Sequence, residues 1–354
     1  MVMDLPQPTF RWARMPRLSF SWLPCPVPLK ANDNMHEWRS SATNAEQKAR
    51  EIVSVAMWLH TTFKNHVWLW RGQADGQYGV EPGMHSRVLA SDSLPRGEGT
   101  SRRATAALLS SARTMQLDRQ HDNCLPDLAL LAHLQHYGAA TPLLDVTTDP
   151  LVALWMTAFA SAAEPAGLDT KEGSLFVIKR PDRDRWIDPL DARPYLSDDL
   201  PDIAGGVGDS VWWYRAPDVT ERLRIQRGSF LIGPLARSDD RGNTTLPVEL
   251  ADGRTNAIAH RISSRGSASN AAIGAVEIFR IAIQPAVKRP LRALLADRSG
   301  LSITAIYPTP WHRPYIEQFA TTYGRARSLK LDLTPATTPA PASITQATIT
   351  PPTV

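Results

Sequence analysis

Gln135-His136-Tyr137-Gly138, followed after two alanines by Thr141-Pro142-Leu143-Leu144-Asp145-Val146-Thr147, is the stretch on which the reading of this chain turns. Between positions 135 and 145 it holds an amide, an imidazole, a phenol, a hydroxyl and a carboxylate. Apolar helices are expected on both sides. Residues 127–137 place Leu128, Leu131 and Ala132 on one face, and Gly138 suits the position just past the helix end. Asp149-Pro150 is a helix start, with Asp as N-cap and Pro in the first turn. The helix it opens is apolar nearly all round, which predicts a central position. Polar groups held between two such helices are partly buried and need partners. A network of that kind is either a lock for the fold or an active site. His136 can act as acid, base or donor near neutral pH. The plainer reading makes it a capping group at a helix end.

Upstream, Thr43-Asn44-Ala45-Glu46 reads as a capping box, and Ile52, Val55, Ala56, Leu59 and Phe63 continue as a helical stripe. Val67-Trp68-Leu69-Trp70 has strand composition and is expected to end at Arg71-Gly72. An arginine at a strand end can point its planar fork into a cleft and hold a phosphate or carboxylate bidentately. Gly72 would allow close backbone approach. The competing reading pairs Arg71 with a buried carboxylate, for which Asp145 is the obvious partner. A further helix is expected over 103–120. Downstream the pattern changes: 174–178, 211–214, 229–232 and 276–283 read as strands. A helix over 290–298 stopped by Gly300, a strand near 302–306 and a helix over 314–323 close the pattern. Helices first and strands later predict an α+β fold: one domain, N-terminal helices followed by a mostly antiparallel sheet.

That domain is expected to span 36–330. Residues 1–35 carry six prolines, which forbid a continuous helix, and read as a poorly ordered leader, with Met35 a second plausible start. Residues 237–272 read as a polar surface insertion. Residues 331–354, with seven Thr, five Pro and the single charged residue Asp332, read as a disordered tail.

The 354 residues include 39 Lys+Arg and 35 Asp+Glu, a net charge of +4 that is too small to argue for nucleic acid. Two cysteines exclude a disulfide scaffold and a multi-thiolate zinc site, and fit a cytoplasmic, reducing setting. No run approaches the ~18 apolar residues that a spanning helix requires, so no membrane partner is expected. The phosphate-binding motifs G-x-x-x-x-G-K-[ST] and G-x-G-x-x-G after a strand are absent, as are H-E-x-x-H and G-x-S-x-G. His133 and His136 share a helix face, but no third ligand of matching spacing follows, so no metal site is expected.

Taken in order, W-R-G-Q (70–73), Q-H-Y-G-x-x-T-x-L-L-D-x-T (135–147) with Asp149-Pro150 and Ala153, and Q-R-G-S-F (226–230) resemble the bacterial FRG domain family, with Trp70 in the Phe position. A Pro82 to Ser86-Arg87 stretch and a closing segment, Leu301 to Tyr323 with Tyr307-Pro308, extend the resemblance over about 36–325. The chain departs from the family pattern where Pro142 occupies an arginine slot and Val146 a tryptophan slot. Arg87 or Arg227 would then have to compensate. The family implies a toxin or phage-defence role and no assured activity.

A second likeness is at motif level. ADP-ribosyltransferases also open their core with an aromatic-Arg-Gly strand whose arginine grips the NAD pyrophosphate. By that analogy the cofactor is NAD. Arg71, Gly72, Gln73, Arg87, Gln135, Tyr137, Thr141, Gln226 and Phe230 would bind it, with Tyr137 and Phe230 as stacking candidates. His136, with an acid from Asp145, Glu317 or Glu81, would serve the chemistry, since a fixed carboxylate answers the oxocarbenium-like charge. Two other readings stand beside this one. In the first, the same groups bind a nucleotide, another small molecule or a protein target without chemistry. In the second, Arg222, Arg224 and Arg227 beside Trp212, Trp213 and Tyr214 contact nucleic acid.

Overall fold

The computed structural model describes residues 37–62, 68–76, 80, 82–84, 98–120, 123–159, 168–195, 211–217, 220–233, 278–307, 316 and 318–320. The expected leader, insertion and tail, and the candidates Glu81, Arg87 and Glu317, lie outside the described residues. So do Phe63 and most of the expected 314–323 helix, of which 316 and 318–320 are helical.

In chain order the elements are β1 (Glu37–Trp38), α1 (Ala45–Thr62), β2 (Trp68–Gln73), α2 (Glu98–Thr114), β3 (Arg119–Gln120), β4 (Asn123–Cys124), α3 (Asp127–His136), β5 (Leu144–Thr147), α4 (Pro150–Ala158), β6 (Gly173–Lys179), β7 (Trp186–Ile187), β8 (Trp212–Tyr214), α5 (Glu221–Ile225), β9 (Gly228–Ile232), β10 (Ile278–Ile283), α6 (Pro285–Ser299) and α7 (Ile303–Ile306). The fold is α+β. Eight strands form one sheet in the order β1-β10-β6-β2-β5-β9-β8-β7. The outermost pairs, β1 with β10 and β7 with β8, are parallel, and the other pairs are antiparallel.

Local chemistry explains the elements and corrects five expectations, the first being the helix expected over 103–120, which runs Glu98–Thr114 and leaves Arg119–Gln120 in a strand. The α1 cap is Asn44, whose Oδ1 accepts Gln47 N–H at 2.9 Å, and not Thr43, whose hydroxyl bonds the Gln47 side chain instead. Strand β2 does not end at Arg71. Arg71, Gly72 and Gln73 continue the ladder opposite Phe176, Leu175 and Ser174. Helix α6 begins five residues early, at Pro285, because Pro285 suits the first turn and the helix tolerates Pro290. The segment after Gly300 is a helix, not a strand: the Ser302 hydroxyl accepts Ala305 N–H and nucleates α7. Helix α4 forms as read. Asp149 caps it by accepting Leu151 N–H at 2.9 Å, and nearly all its residues are buried.

The sheet has two differently packed faces. On the outer face, α1, α4 and α6 cover β2, β6 and β10, burying Trp68, Trp70, Leu175, Val177 and Ile281. Beside them α2 and α3 cover β8 and β9, burying Tyr214, Phe230 and Ile232. The inner face carries Leu69, Leu144, Val146, Phe176, Ile178, Trp213 and Leu231.

The sheet curls toward the inner face. Five strand spacings separate β6 from β7, or ~24 Å if the sheet were flat. The chain from Lys179 to Trp186 reaches ~23 Å fully extended, and a 3₁₀ turn at Arg183–Arg185 shortens it. The Arg180 guanidinium therefore lies 4.4 Å from the Trp186 ring and 5.0 Å from that of Trp213.

The sheet is also nearly divided. Strands β2 and β5 share the single pair Trp70↔Thr147, whereas β2 and β6 share six pairs and β5 and β9 share four. Two four-strand halves therefore meet at one bridge.

Candidate functional site

Arg71 stands where the halves part. It follows Trp70, the last β2 residue paired with β5, and shares the inner strand face with Leu69. Its Nη1 donates to the Asp145 backbone carbonyl at 2.8 Å and lies 3.9 Å from Asp145 Oδ2. The guanidinium thus takes the place of a missing ladder bond. Its side chain is 18% exposed, and that of Asp145 is 60% exposed. The Arg71 Nε–H is buried and has no acceptor among the described residues. Burial lowers the Arg71 pKa, and the Asp145 carboxylate opposes that shift. Of the two sequence readings of Arg71, the fixed partner is the Asp145 carbonyl, while the carboxylate stays open to solvent.

Gly72 serves packing. A Cβ there would sit 1.9 Å from the Ala153 carbonyl oxygen and 2.6 Å from Thr157 Oγ1, so its absence lets α4 lie against β2. Gln73 continues the pairing opposite Ser174.

Gln135 and Thr141 lock the loop between α3 and β5. The Thr141 hydroxyl hydrogen-bonds Gln135 Oε1 and accepts Leu143 N–H at 3.1 Å, and its backbone carbonyl accepts Met84 N–H at 2.9 Å. Gly138 follows the end of α3 with a φ of +101°, as the sequence predicted. Tyr137 meets the His133 ring edge-on at 5.2 Å. Pro142 and Val146, the two departures, are both buried, Val146 in the inner-face core. Gln226 ties two regions: its Nε2 donates to the Ile306 carbonyl at 3.0 Å, and its own carbonyl accepts the Thr147 hydroxyl at 2.6 Å. Phe230 is fully buried and stacks 6.4 Å from the Tyr214 ring, so it belongs to the core.

His136 closes α3. Its Nδ1 lies 3.3 Å from Thr220 Oγ1, an oxygen that already accepts Leu223 N–H as the α5 N-cap. The hydroxyl proton is then available to Nδ1, which fits a neutral ring protonated at Nε2. Burial first, then the positive charge of Arg222 and the nearby His133, pull the His136 pKa down to about 3. His136 is therefore neutral at physiological pH.

Arg222 donates Nη1 to the His136 carbonyl at 3.3 Å and stacks 4.4 Å from the Tyr307 ring. Sequence reasoning grouped it with Trp213 and Tyr214, but those two buried rings face opposite sides of the sheet. Arg227 holds a left-handed backbone (φ +47°) and lies 3.8 Å from Asp149 Oδ2. No three His, Cys, Asp or Glu side chains form a metal cluster among the described residues.

The polar residues therefore fall into two groups. Arg71 and Asp145 meet at the parting of the half-sheets. His136, Thr220 and Arg222 meet at the end of α3, on the outer layer. The contacts of Arg71 run to Asp145 and those of His136 to Thr220 and Arg222, so the structure does not join these groups in one contact set. Thr220 carried no local sequence signal, and Tyr307 was marked only through the Tyr307-Pro308 likeness; both join the second group through pairing distant in the chain.

The domain is thus a nearly divided mixed sheet with an aromatic-Arg-Gly strand at its parting. Residues 66–165 match the FRG domain family, so this chain carries an FRG domain. The match runs from just before β2 to beyond α4 and includes both the W-R-G-Q and the Q-H-Y-G stretches. No curated protein and no solved structure matches the chain. Among the described residues, no helix is long and apolar enough to cross a membrane.

Proposed function

We propose that this FRG domain binds a phosphate-bearing nucleotide at the parting of β2 and β5, with Arg71 as the phosphate anchor and NAD as the candidate ligand. One observation carries the reading. Arg71 is a largely buried cation whose five N–H donors meet, among the described residues, one backbone carbonyl and a carboxylate at 3.9 Å. A desolvated guanidinium with unmatched donors costs several kcal/mol, and a phosphate offers the bidentate partner that it lacks.

Thermal shift with NAD, ADP-ribose and ADP tests this. Saturable stabilisation is expected, on the order of 2.7 kcal/mol at a hundredfold excess over Kd. Arg71→Ala should abolish it and Arg71→Lys should weaken it. No response of the folded wild-type protein to any of the three nucleotides sinks the proposal.

The exposed Asp145 carboxylate beside Arg71 favours a second, catalytic reading, that of an ADP-ribosyltransferase-like enzyme. In it the bond between ribose C1′ and the nicotinamide nitrogen breaks, and nicotinamide leaves with the electron pair. An acceptor oxygen or nitrogen bonds C1′ and gives up its proton, and Asp145 stabilises the cationic centre. A toxin-like or defence role rests on that transfer. Asp145→Asn should then retain nucleotide binding and lose release of nicotinamide, measured with labelled NAD and a lysate as acceptor. Unchanged release in that variant removes Asp145 from the chemistry.

A further inference from the structure

The second polar group sits at a seam between two helical packages. α3 and the Leu223 face of α5 belong to one buried cluster, while Ile306 and the Tyr307 ring pack with the other. Arg222 spans the seam, bonded to the carbonyl of His136 and stacked on Tyr307.

Three observations there point the same way. The Arg222 Nε–H is buried with no acceptor among the described residues. The His136 ring has Nδ1 engaged by Thr220, which turns Nε2 into its remaining polar edge. Among the described residues, the neighbours whose electrostatics act on His136 are Arg222 and His133, both basic. The neighbouring carboxylate, Glu221, is turned along its own helix to Arg224 at 3.8 Å. The Arg222 guanidinium is bonded to the His136 carbonyl, so guanidinium and imidazole are neighbours, and among the described residues no carboxylate pairs with either.

We propose that His136 and Arg222 form an oxyanion-binding site, separate from the Arg71 site, which takes a phosphate or carboxylate group. The anion accepts from Arg222 Nε–H and from His136 Nε2–H. Tyr307 supports the guanidinium, whose Cζ lies 4.4 Å from its ring centroid. Thr220 fixes the imidazole tautomer, as an outer hydrogen bond does for a liganding histidine. The neutral ring is suited to this task, since an imidazolium beside Arg222 would repel its neighbour before an anion arrived.

The test is imidazole NMR of the intact chain, following the His136 nitrogens while orthophosphate or acetate is added. The expected result is a saturable shift of His136 Nε2 with at least one of the two anions, and the better anion names the source. The shift should persist in Arg71→Ala, which separates this site from the nucleotide site. It should weaken about tenfold in Arg222→Gln, as the loss of one charge-assisted hydrogen bond predicts. Arg222→Lys keeps the charge but loses Nε–H and the planar stack. It should also bind more weakly, and it serves if the glutamine variant does not fold. A His136 resonance unmoved by both anions overturns the proposal, as does one that moves equally in wild type and in the Arg222 variants.

Discussion

Single atoms decide the outcome at two positions. Adding one methyl at Gly72 drives a Cβ into the Ala153 carbonyl, which is backbone and has nowhere to go. Gly72→Ala should therefore lose about 3 kcal/mol in urea unfolding, far beyond what a strand glycine normally costs. At Arg227 the opposite is expected. Its left-handed backbone disfavours any side chain, and its approach to Asp149 is long, with the arginine itself largely exposed, which limits the value of that pair. Arg227→Gly should raise stability by about 1 kcal/mol. A loss of stability in that variant would mean that the Asp149 pairing outweighs the strain.

Among the elements, those whose cause is local were legible in the sequence. Asp149-Pro150 announced α4 because cap and first-turn proline sit side by side, and Asp149→Ala should cost about 1 kcal/mol in thermal or urea unfolding through loss of the Leu151 N–H acceptor. Gly138 marked the end of α3 for the same kind of reason. The segment after Gly300 misled because its β-branched residues have strand composition, while one serine hydroxyl was enough to start a helix. The end of β2 misled because polar residues look like a strand terminus. Arg71 and Gln73 continue the ladder because β6 runs beside them for its whole length. The candidate site was legible as residue types and not as an arrangement. Arg71, His136 and Asp145 were singled out by being polar in apolar surroundings, but the pairing that sends Arg71 to Asp145 and His136 to Arg222 links positions 70 to 90 residues apart.

For the whole molecule, His136 writes a pH dependence into stability. Its folded pKa, about 3, lies below the ordinary value of 6.5, so below 6.5 the unfolded chain takes up a proton that the folded chain refuses. The contribution is fully present above pH 6.5 and is lost as pH falls toward 3. The slope approaches 1.4 kcal/mol per pH unit for a fully withheld proton, and partial solvent access reduces it to about 1 kcal/mol or less. Urea midpoints between pH 4 and 7 should rise with pH in the wild type and rise less steeply in His136→Gln. Equal slopes would show that the imidazole protonates freely in the folded state.

The lone Trp70↔Thr147 bridge has a mechanical corollary. Within the sheet, one residue pair and one guanidinium rivet the two halves together, so a molecule lodged between them acts as an added fastener. Occupancy and rigidity then become a single quantity. Deuterium uptake by the backbone amides of Gly72 and Val146 should slow in step with saturation, even though neither residue need touch the bound molecule.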